Sequence, residues 1–362
     1  MSTSRRTEPE LLRVLAWPAT RVRPNGEEND PYPRLLYTGL ARRGIEVANF
    51  GVARLLAQRW HIWHMHWPDG IVAGDRPPLV LLTRIVVFWL LLKFTRIKGT
   101  RIIWTAHNAK PHESSHPGLV RWFFHILTGN LSAVICLSPS GKAVVREQYP
   151  KARRLPIYVV PHGHYWGCYP DDISRQEARQ RLQLGANELV LLFIGQLRRY
   201  KNVIRLIECF RAAAEPDWRL VIAGDPRDEA LTKEVVELAS ACNQITPVLA
   251  FVPNDELQVF LRASDLVVLP YADILNSGAA LLALSFDRPV LVPARRALID
   301  LREEIGDEWV MTYNDDLAAS TLRAAAAWLR ARQRPMRAPL EALEWERIRD
   351  LTAKVLREVA AA

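Results

Sequence analysis

Short apolar runs recur along the chain with helix-length polar or amphipathic stretches between them. In the first half the runs Leu12–Trp17, His61–Trp67, Arg101–Thr105, Ala133–Leu137 and Ile157–Val160 read as strands. In the second half the same pattern falls at Leu189–Ile194, Arg219–Ala223, Ile245–Ala250, Leu266–Leu269 and Val290–Val292. Helices are predicted over Tyr32–Arg43, Pro78–Thr95, Val120–Leu127 and Pro139–Gln148, then over Val203–Ala214, Glu229–Ala241, Asp255–Ala263, Gly278–Phe286 and Leu317–Arg332. A last helix, Leu340–Ala360, follows the break at Pro335 and Pro339. Alternating strands and helices predict an α/β protein with parallel, helix-covered sheets. Asp171-Asp-Ile-Ser174 reads as a helix start before a polar helix, Arg175–Leu182, and puts a boundary between Tyr165 and Gly185. The expected organisation is a domain over 1–170, a second over 171–339, and a C-terminal helix over 340–362 packing back across both. Two doubly wound domains would bring the C-terminal ends of their strands to a shared cleft, where ligands bind.

The 362 residues suit two domains, and 49% apolar content is too high for a disordered chain. Cys136, Cys168, Cys209 and Cys242 are too scattered for a disulfide framework or a zinc site, so reduced, cytoplasmic thiols are expected. Met1–Arg13 lacks the apolar stretch of a signal peptide. The net charge of +9 is unevenly spread. Residues 1–170 hold 23 Lys plus Arg against 10 Asp plus Glu, a charge of +13, and the remaining 25 against 29 give −4. A basic half fits nucleic acid, an anionic membrane or a phosphorylated ligand. The stretch Pro78–Lys98 is the most lipophilic, but Arg84 interrupts it and its unbroken apolar run, Ile85–Leu92, is eight residues long. That is short of the roughly 20 residues a spanning helix needs. It reads either as a core helix or as a helix lying on a membrane, with Arg84, Lys93, Arg96 and Lys98 meeting headgroups. Arg121-Trp-Phe-Phe-His125 is a second aromatic and basic patch.

The loops after the strands carry the candidate chemistry. Pro18–Gly26, after the first strand, contains neither a dinucleotide fingerprint nor a phosphate-loop lysine, which disfavours nicotinamide chemistry and P-loop phosphoryl transfer. Gly195-Gln-Leu-Arg-Arg-Tyr-Lys-Asn202 follows a buried strand and opens a helix. The glycine permits close backbone approach, and Arg198, Arg199 and Lys201 can neutralise a diphosphate. Asn276-Ser-Gly278 precedes another helix, whose free amides and Ser277 hydroxyl suit a phosphate oxygen; it is also an ordinary turn with a cap. Tyr271 could stack on a nucleobase.

The order Gly195…Lys201, Arg219-Leu-Val-Ile-Ala-Gly224, Asn254-Asp-Glu-Leu257, Ala263-Ser-Asp265…Pro270 and Pro289-Val290 resembles the donor domain of GT-B glycosyltransferases, and Trp345-Glu-Arg-Ile348 fits their C-terminal helix. Trp63-His-Met-His-Trp-Pro-Asp69, Trp104-Thr-Ala-His-Asn108 with Pro111-His-Glu113, and Pro161-His-Gly-His-Tyr165 resemble the bacterial exopolysaccharide mannosyltransferases. Those enzymes extend a lipid-linked oligosaccharide from GDP-mannose. Asn29-Asp-Pro-Tyr32 and Tyr271–Gly278 fit the same family. The resemblance implies two Rossmann-like domains facing a cleft, a nucleotide-sugar donor, a polyprenyl-diphosphate-linked or other glycolipid acceptor, no metal, no other cofactor and no nucleic acid. It also implies a peripheral place on the inner face of the cell membrane. One departure stands out. The two glutamates that retaining relatives carry eight positions apart would fall at Ile274 and Leu282. Either the donor ribose is held differently or the branch inverts.

Sugar transfer requires a base for the acceptor hydroxyl and neutralisation of the leaving diphosphate. Asp69, His107 and Glu113 are the candidate catalytic groups. Gly195, Arg198, Arg199, Lys201, Tyr271, Asn276, Ser277 and Gly278 are the donor candidates. Asn29, Tyr32, His64, His66, Asn108, His112, His162 and His164 are the acceptor candidates. His64 and His66, two apart on a strand, face one side; with His162 and His164 they read as a polar lining rather than a metal site. A non-catalytic sugar-nucleotide scaffold and a sugar-nucleotide epimerase remain as alternatives, the former motivated by the missing glutamates.

Overall fold

A computed structural model describes residues 11–21, 30–108, 115–272, 274–331 and 333–362. Two parallel six-stranded sheets carry the fold. The first comprises β1 (Leu12–Trp17), β2 (Ile45–Asn49), β3 (Ile62–Met65), β4 (Arg101–Ala106), β5 (Ala133–Cys136) and β6 (Ile157–Val159), in the order β2-β1-β3-β4-β5-β6. The second comprises β7 (Leu189–Ile194), β8 (Trp218–Ala223), β9 (Ile245–Val248), β10 (Leu266–Val268), β11 (Val290–Pro293) and β12 (Val310–Tyr313), in the order β12-β11-β10-β7-β8-β9. Interleaved helices are α1 (Tyr32–Tyr37), α2 (Val52–Ala57), α3 (Pro78–Ile97), α4 (Pro117–Thr128) and α5 (Pro139–Gln148) in the first half. The second half has α6 (Arg175–Arg181), α7 (Val203–Ala213), α8 (Glu229–Ser240), α9 (Leu257–Ala263), α10 (Gly278–Ser285), α11 (Arg296–Ile305) and α12 (Ala319–Ala331), and α13 (Trp345–Ala361) ends the chain. Contacts divide the chain into one unit of Met1–Gly163 with Leu343–Ala362 and another of His164–Ala342. The last helix, expected to lie across both domains, thus belongs to the first unit.

The ten predicted strands are present to within two residues at each end. Central strands such as β5 and β11 are buried along their whole length, which is why they appear as unbroken apolar runs. β2 and β12 were not predicted. Both are edge strands, incompletely buried and only four or five residues long, and Glu46 and Asn49 break the apolar signal in β2. The helices α2 and α11 were missed for related reasons: α2 has six residues with one buried, and α11 is largely polar. The predicted helix Tyr32–Arg43 is interrupted at Gly39, whose φ of 85° is left-handed, and resumes as a tighter turn over Leu40–Arg43.

Two internal ties shape the units. In the first, α13 lays Trp345 against Gly163 so closely that a Cβ there would overlap the indole. Arg43 binds Glu346 at 2.6 Å and Asp350 at 2.7 Å, and Arg349 donates to the Leu35 carbonyl. In the second, buried Arg179 donates to the carbonyls of Ala263, Gly185, Ala186 and Glu188 and to Asp265 Oδ2 at 2.8 Å. The same oxygen accepts the Val190 amide, so Asp265 locks α6 onto β7. The Ala263-Ser-Asp265 motif therefore has a structural role here.

The helix α3 does two jobs. Leu81, Ile85, Phe88, Leu92 and Thr95 are buried, whereas Leu79, Leu90 and Ile97 are 73%, 54% and 85% exposed. Although its unbroken apolar run is short of a span, the whole helix is, by length and composition alone, long and apolar enough to cross a membrane. In the aromatic patch on α4, Phe123 and Phe124 are core residues and Trp122 is exposed.

Replacing Asp265 by Ala leaves the Arg179 guanidinium buried without its counter-charge. That should lower the stability of the second unit by about 3 kcal/mol, read from urea unfolding. A loss below about 1 kcal/mol would contradict the lock.

Candidate functional site

In a parallel sheet, a reversal of strand order sends the loops on either side apart and leaves a crevice at the C-terminal strand ends. In the first unit the chain runs from β1 outward to β2 and then returns to β3 on the other flank. In the second it runs from β7 through β8 to β9 and returns to β10. The loops after β1 and β3, and those after β7 and β10, are therefore the ones on which chemistry is expected.

After β3 the structure gathers a buried polar chain. The Tyr37 hydroxyl lies 2.8 Å from His64 Nδ1 and 2.6 Å from His66 Nε2. His64 Nε2 reaches Thr105 Oγ1 at 2.7 Å, and His66 Nδ1 reaches His107 Nε2 at 3.0 Å. Alternation along β4 puts Thr105 on the side of His64 and brings His107, two residues on, towards His66. Burial holds all three imidazoles neutral: His64 is pushed down to about 3, and His66 and His107 fall well below the ordinary histidine range. The hydroxyl has one proton, so two arrangements satisfy the chain. If Tyr37 donates to His66, then His66 donates to His107; if Tyr37 donates to His64, His107 donates to His66. The Tyr32 ring packs edge-on to His107 at 4.7 Å and against His162 at the same distance, and Trp67 stacks on His107 at 4.3 Å.

Asp69 lies in the turn Pro68–Ile71 after β3, partly buried. Burial raises its pKa, opposed by hydrogen bonds from its own backbone and from the Asn108 side chain, and by Arg21. Arg21 sits 4.6 Å over the Trp67 ring. The first unit thus collects Tyr32, His64, His66, Asp69, His107, Asn108 and His162 among the expected residues. His164 belongs to the second unit and packs on Trp166 at 4.4 Å. Asn29, His112 and Glu113 lie outside the described residues.

In the second unit Gly195 ends β7 with φ 124°, and Gly224 ends β8 with φ 158°. A Cβ on Gly224 would overlap the Gly195 carbonyl, and one on Gly195 would meet the Lys201 ammonium at 3.2 Å. Lys201 Nζ therefore lies over the glycine, 5.6 Å from the Tyr271 ring. Burial, reinforced by Arg198, pushes Lys201 down to about 8, and among the described residues no carboxylate pairs with it. A desolvated ammonium without a counter-ion is stabilised by any anion that reaches it. Tyr271 is buried, its hydroxyl raised by burial and bonded to Ser277. Ser277 caps α10, accepting the Ala280 amide at 3.1 Å. Its hydroxyl, expected on a phosphate, is thus engaged as a cap; the Gly278 and Ala279 amides remain at the helix start. Arg199 turns instead to Asp228 and Glu234, at 2.9 and 3.5 Å. Asn276 precedes the cap directly.

Tyr37, Thr105, Trp67 and Gly224 were not among the sequence candidates. Thr105 was within reach of the alternation that paired His64 with His66; Tyr37 was masked by its apolar helical context. Among the described residues no cluster of three or more His, Cys, Asp or Glu could hold a metal.

Comparison with known proteins gives three kinds of match. Residues 174–281 match the family model "Glycosyl transferases group 1". Over 335 residues, 91% of this chain and 88% of the relative, the sequence is 30% identical to a GDP-mannose:glycolipid 4-beta-D-mannosyltransferase of Xanthomonas campestris pv. campestris. Among solved structures, a sucrose-phosphate synthase from Thermosynechococcus elongatus matches with a TM-score of 0.67 at 17% identity, covering 97% of this chain and all of that one. Anabaena HepE in complex with UDP and glucose matches at 0.66 and 15%, covering 96% of this chain and all of that one. At those identities the two structures speak for the fold alone.

Two outcomes follow from the buried charges. An unfolded histidine takes up its proton near pH 6.5, whereas His64 in the fold does so only near 3, so the unfolded chain binds more protons between these values. Stability should fall as pH drops below 6.5, by up to about 1.4 kcal/mol per pH unit for each of the three histidines. Urea unfolding at pH 7.5 and 5.5 measures it, and equal stabilities would contradict the neutral chain. For Lys201 the sign is set by the anion, which binds the protonated amine. Affinity for a nucleoside diphosphate should be level below pH 8 and fall about tenfold per unit above it, and Lys201→Ala should abolish that dependence.

Proposed function

Because this chain belongs to the group 1 glycosyltransferases of GT-B fold, we propose that it moves mannose from GDP-mannose onto a lipid-linked oligosaccharide acceptor. The observation that carries the reading is the 30% identity, along 91% of the chain, to an enzyme named for that donor and a glycolipid acceptor. The Lys201 ammonium over Gly195, with which no carboxylate pairs among the described residues, supports the donor side, since the leaving group is a diphosphate. Lys201 and the Gly278 and Ala279 amides would take up its charge as the bond from the anomeric carbon to the phosphate oxygen breaks. Tyr271 would flank the nucleotide.

A β-linked product from an α-linked nucleotide sugar requires inversion by one in-line displacement. The acceptor oxygen attacks the anomeric carbon, its proton passes to a base, and the nucleoside diphosphate leaves. Asp69 is the carboxylate we assign as that base: burial raises its pKa, and the Asn108 side chain bonds to it. His107, Tyr32, His64, His66 and His162 would line the acceptor side, with neutral imidazoles that can donate or accept at sugar hydroxyls. We further place the protein at the cytoplasmic face of the membrane, with the exposed apolar side of α3 against the lipid and its basic residues at the headgroups.

Incubating the protein with lipid-linked oligosaccharide and a panel of GDP-, UDP- and dTDP-sugars tests the reading, with product linkage read by NMR. GDP-mannose should give a β-mannosyl product. Asp69→Asn should lower kcat by about 10²–10⁴ while leaving donor affinity within a fewfold of the native protein. Donor binding without turnover on any lipid acceptor would defeat the enzyme reading. An α-linked product would defeat the inverting mechanism.

A further inference from the structure

An apolar cavity of about 400 Å³ lies along one flank of α3, within the first unit. Its walls include Trp17, Phe50, Trp63 and Phe88, with Gly70 and Arg84 also bordering it. The aromatic walls are themselves packed: Phe50 stacks on Trp63 at 5.1 Å and 7°, and Trp17 lies 5.2 Å from Phe50. The cavity is continuous with the side of α3 that carries Thr83, Arg84, Val87 and Leu91, next to the exposed row of Leu79, Leu90 and Ile97. Arg84 is exposed and has no ion-pair partner among the described residues. Trp63, fully buried, keeps an indole N–H without a hydrogen-bond partner among them.

We propose that this cavity takes the isoprenoid chain of the acceptor lipid, with Arg84 pairing its phosphate. The inference deepens the function proposed above and rests on the acceptor being lipid-linked. An apolar cavity bordered by a single free guanidinium fits an amphiphile with a hydrocarbon tail and an anionic head, and is a poor match for a sugar or a nucleotide. The volume falls within the roughly 300–1,000 Å³ of small-molecule sites. At roughly 30 Å³ per water-sized group it admits about ten to fifteen carbons, two or three isoprene units. Broad aromatic walls favour a stiff, methyl-branched chain over a slender linear one, because dispersion contacts fall away steeply across gaps. The exposed row on the same helix would leave the rest of the chain in the bilayer, so that α3 presents both a resting surface and a slot beside it. The turn Pro68–Ile71 borders the slot through Gly70 and Ile71, which ties its filling to the turn that carries Asp69.

The test uses the full chain in solution, without vesicles, and follows tryptophan emission on titration with dimethylallyl, geranyl and farnesyl monophosphates. Affinity should rise at least about tenfold for each five carbons added up to farnesyl. Gly70→Leu places a side chain where a Cβ meets nothing within 4 Å, and Thr83→Phe fills the slot from an exposed helical position. Each should weaken farnesyl monophosphate about tenfold or more while leaving the circular dichroism and the thermal transition as in the native chain. Arg84→Ala should remove the preference for farnesyl monophosphate over farnesol. Affinity independent of chain length, or binding unchanged in both filling variants, would overturn the proposal. Dodecyl phosphate binding as tightly as farnesyl monophosphate would assign the slot to a phospholipid acyl chain instead, and would likewise overturn it. Turnover of GDP-mannose on a lipid-free oligosaccharide, measured separately, reports on transfer itself, so failure of the slot and failure of the proposed reaction are told apart.

Discussion

Each sheet reverses its strand order once, beside its first strand, and the candidate chemistry follows from that constraint. A parallel sheet covered on both faces offers no open surface for a polar ligand except where the connecting loops diverge. In the second unit the divergence lies between β7 and β10, and two glycines make it usable. Gly224 lets the end of β8 press onto the Gly195 carbonyl, and Gly195 leaves room for the Lys201 ammonium above it. In the first unit it lies between β1 and β3, where the chain leaves β3 through His66, Trp67 and Asp69.

Desolvation then acts on the two places with opposite results. It lowers Lys201 without supplying a carboxylate, so the second unit favours an incoming anion. It lowers the histidines far enough to make them neutral, so these three side chains offer hydrogen bonds without charge. A glycolipid hydroxyl needs the latter and a nucleoside diphosphate the former. The single proton of Tyr37 couples His64 to His66, and through His66 to His107, so the donor or acceptor character of His107 is set three side chains away. That coupling cannot be seen in any one motif.

What was legible in the sequence were features written in local patterns. Buried central strands announce themselves by uninterrupted apolar runs, and Gly195 and Lys201 by a glycine and a lysine after such a run. Edge strands β2 and β12 do not, because half-exposed residues tolerate polar side chains. Tyr37 resembles a core residue until β3 and β4 are laid beside it. Arg199, expected at a phosphate, is ion-paired to Asp228 and Glu234, which lie some thirty residues on, across a fold the sequence does not display. Ser277, which the sequence offers both as a phosphate ligand and as an ordinary cap, caps α10. His162 and His164, two residues apart in one motif, fall on opposite sides of the unit boundary.

The absent glutamates gain a physical sense from this arrangement. Helix α10, Gly-Ala-Ala-Leu-Leu-Ala-Leu-Ser, carries no acidic residue, and Ile274 and Leu282 are both partly buried. A carboxylate near the donor diphosphate would compete with it for Lys201 and would restore the amine's ordinary pKa. With no acidic residue in α10, that helix brings no carboxylate of its own to the proposed anion site. Asp69 in the first unit, proposed above as the base, is a carboxylate whose pKa burial raises and to which the Asn108 side chain bonds. For the inverting displacement proposed above, the attacking oxygen and the leaving diphosphate stand on opposite sides of the anomeric carbon, so the base and the group that takes up the diphosphate's charge must be different residues.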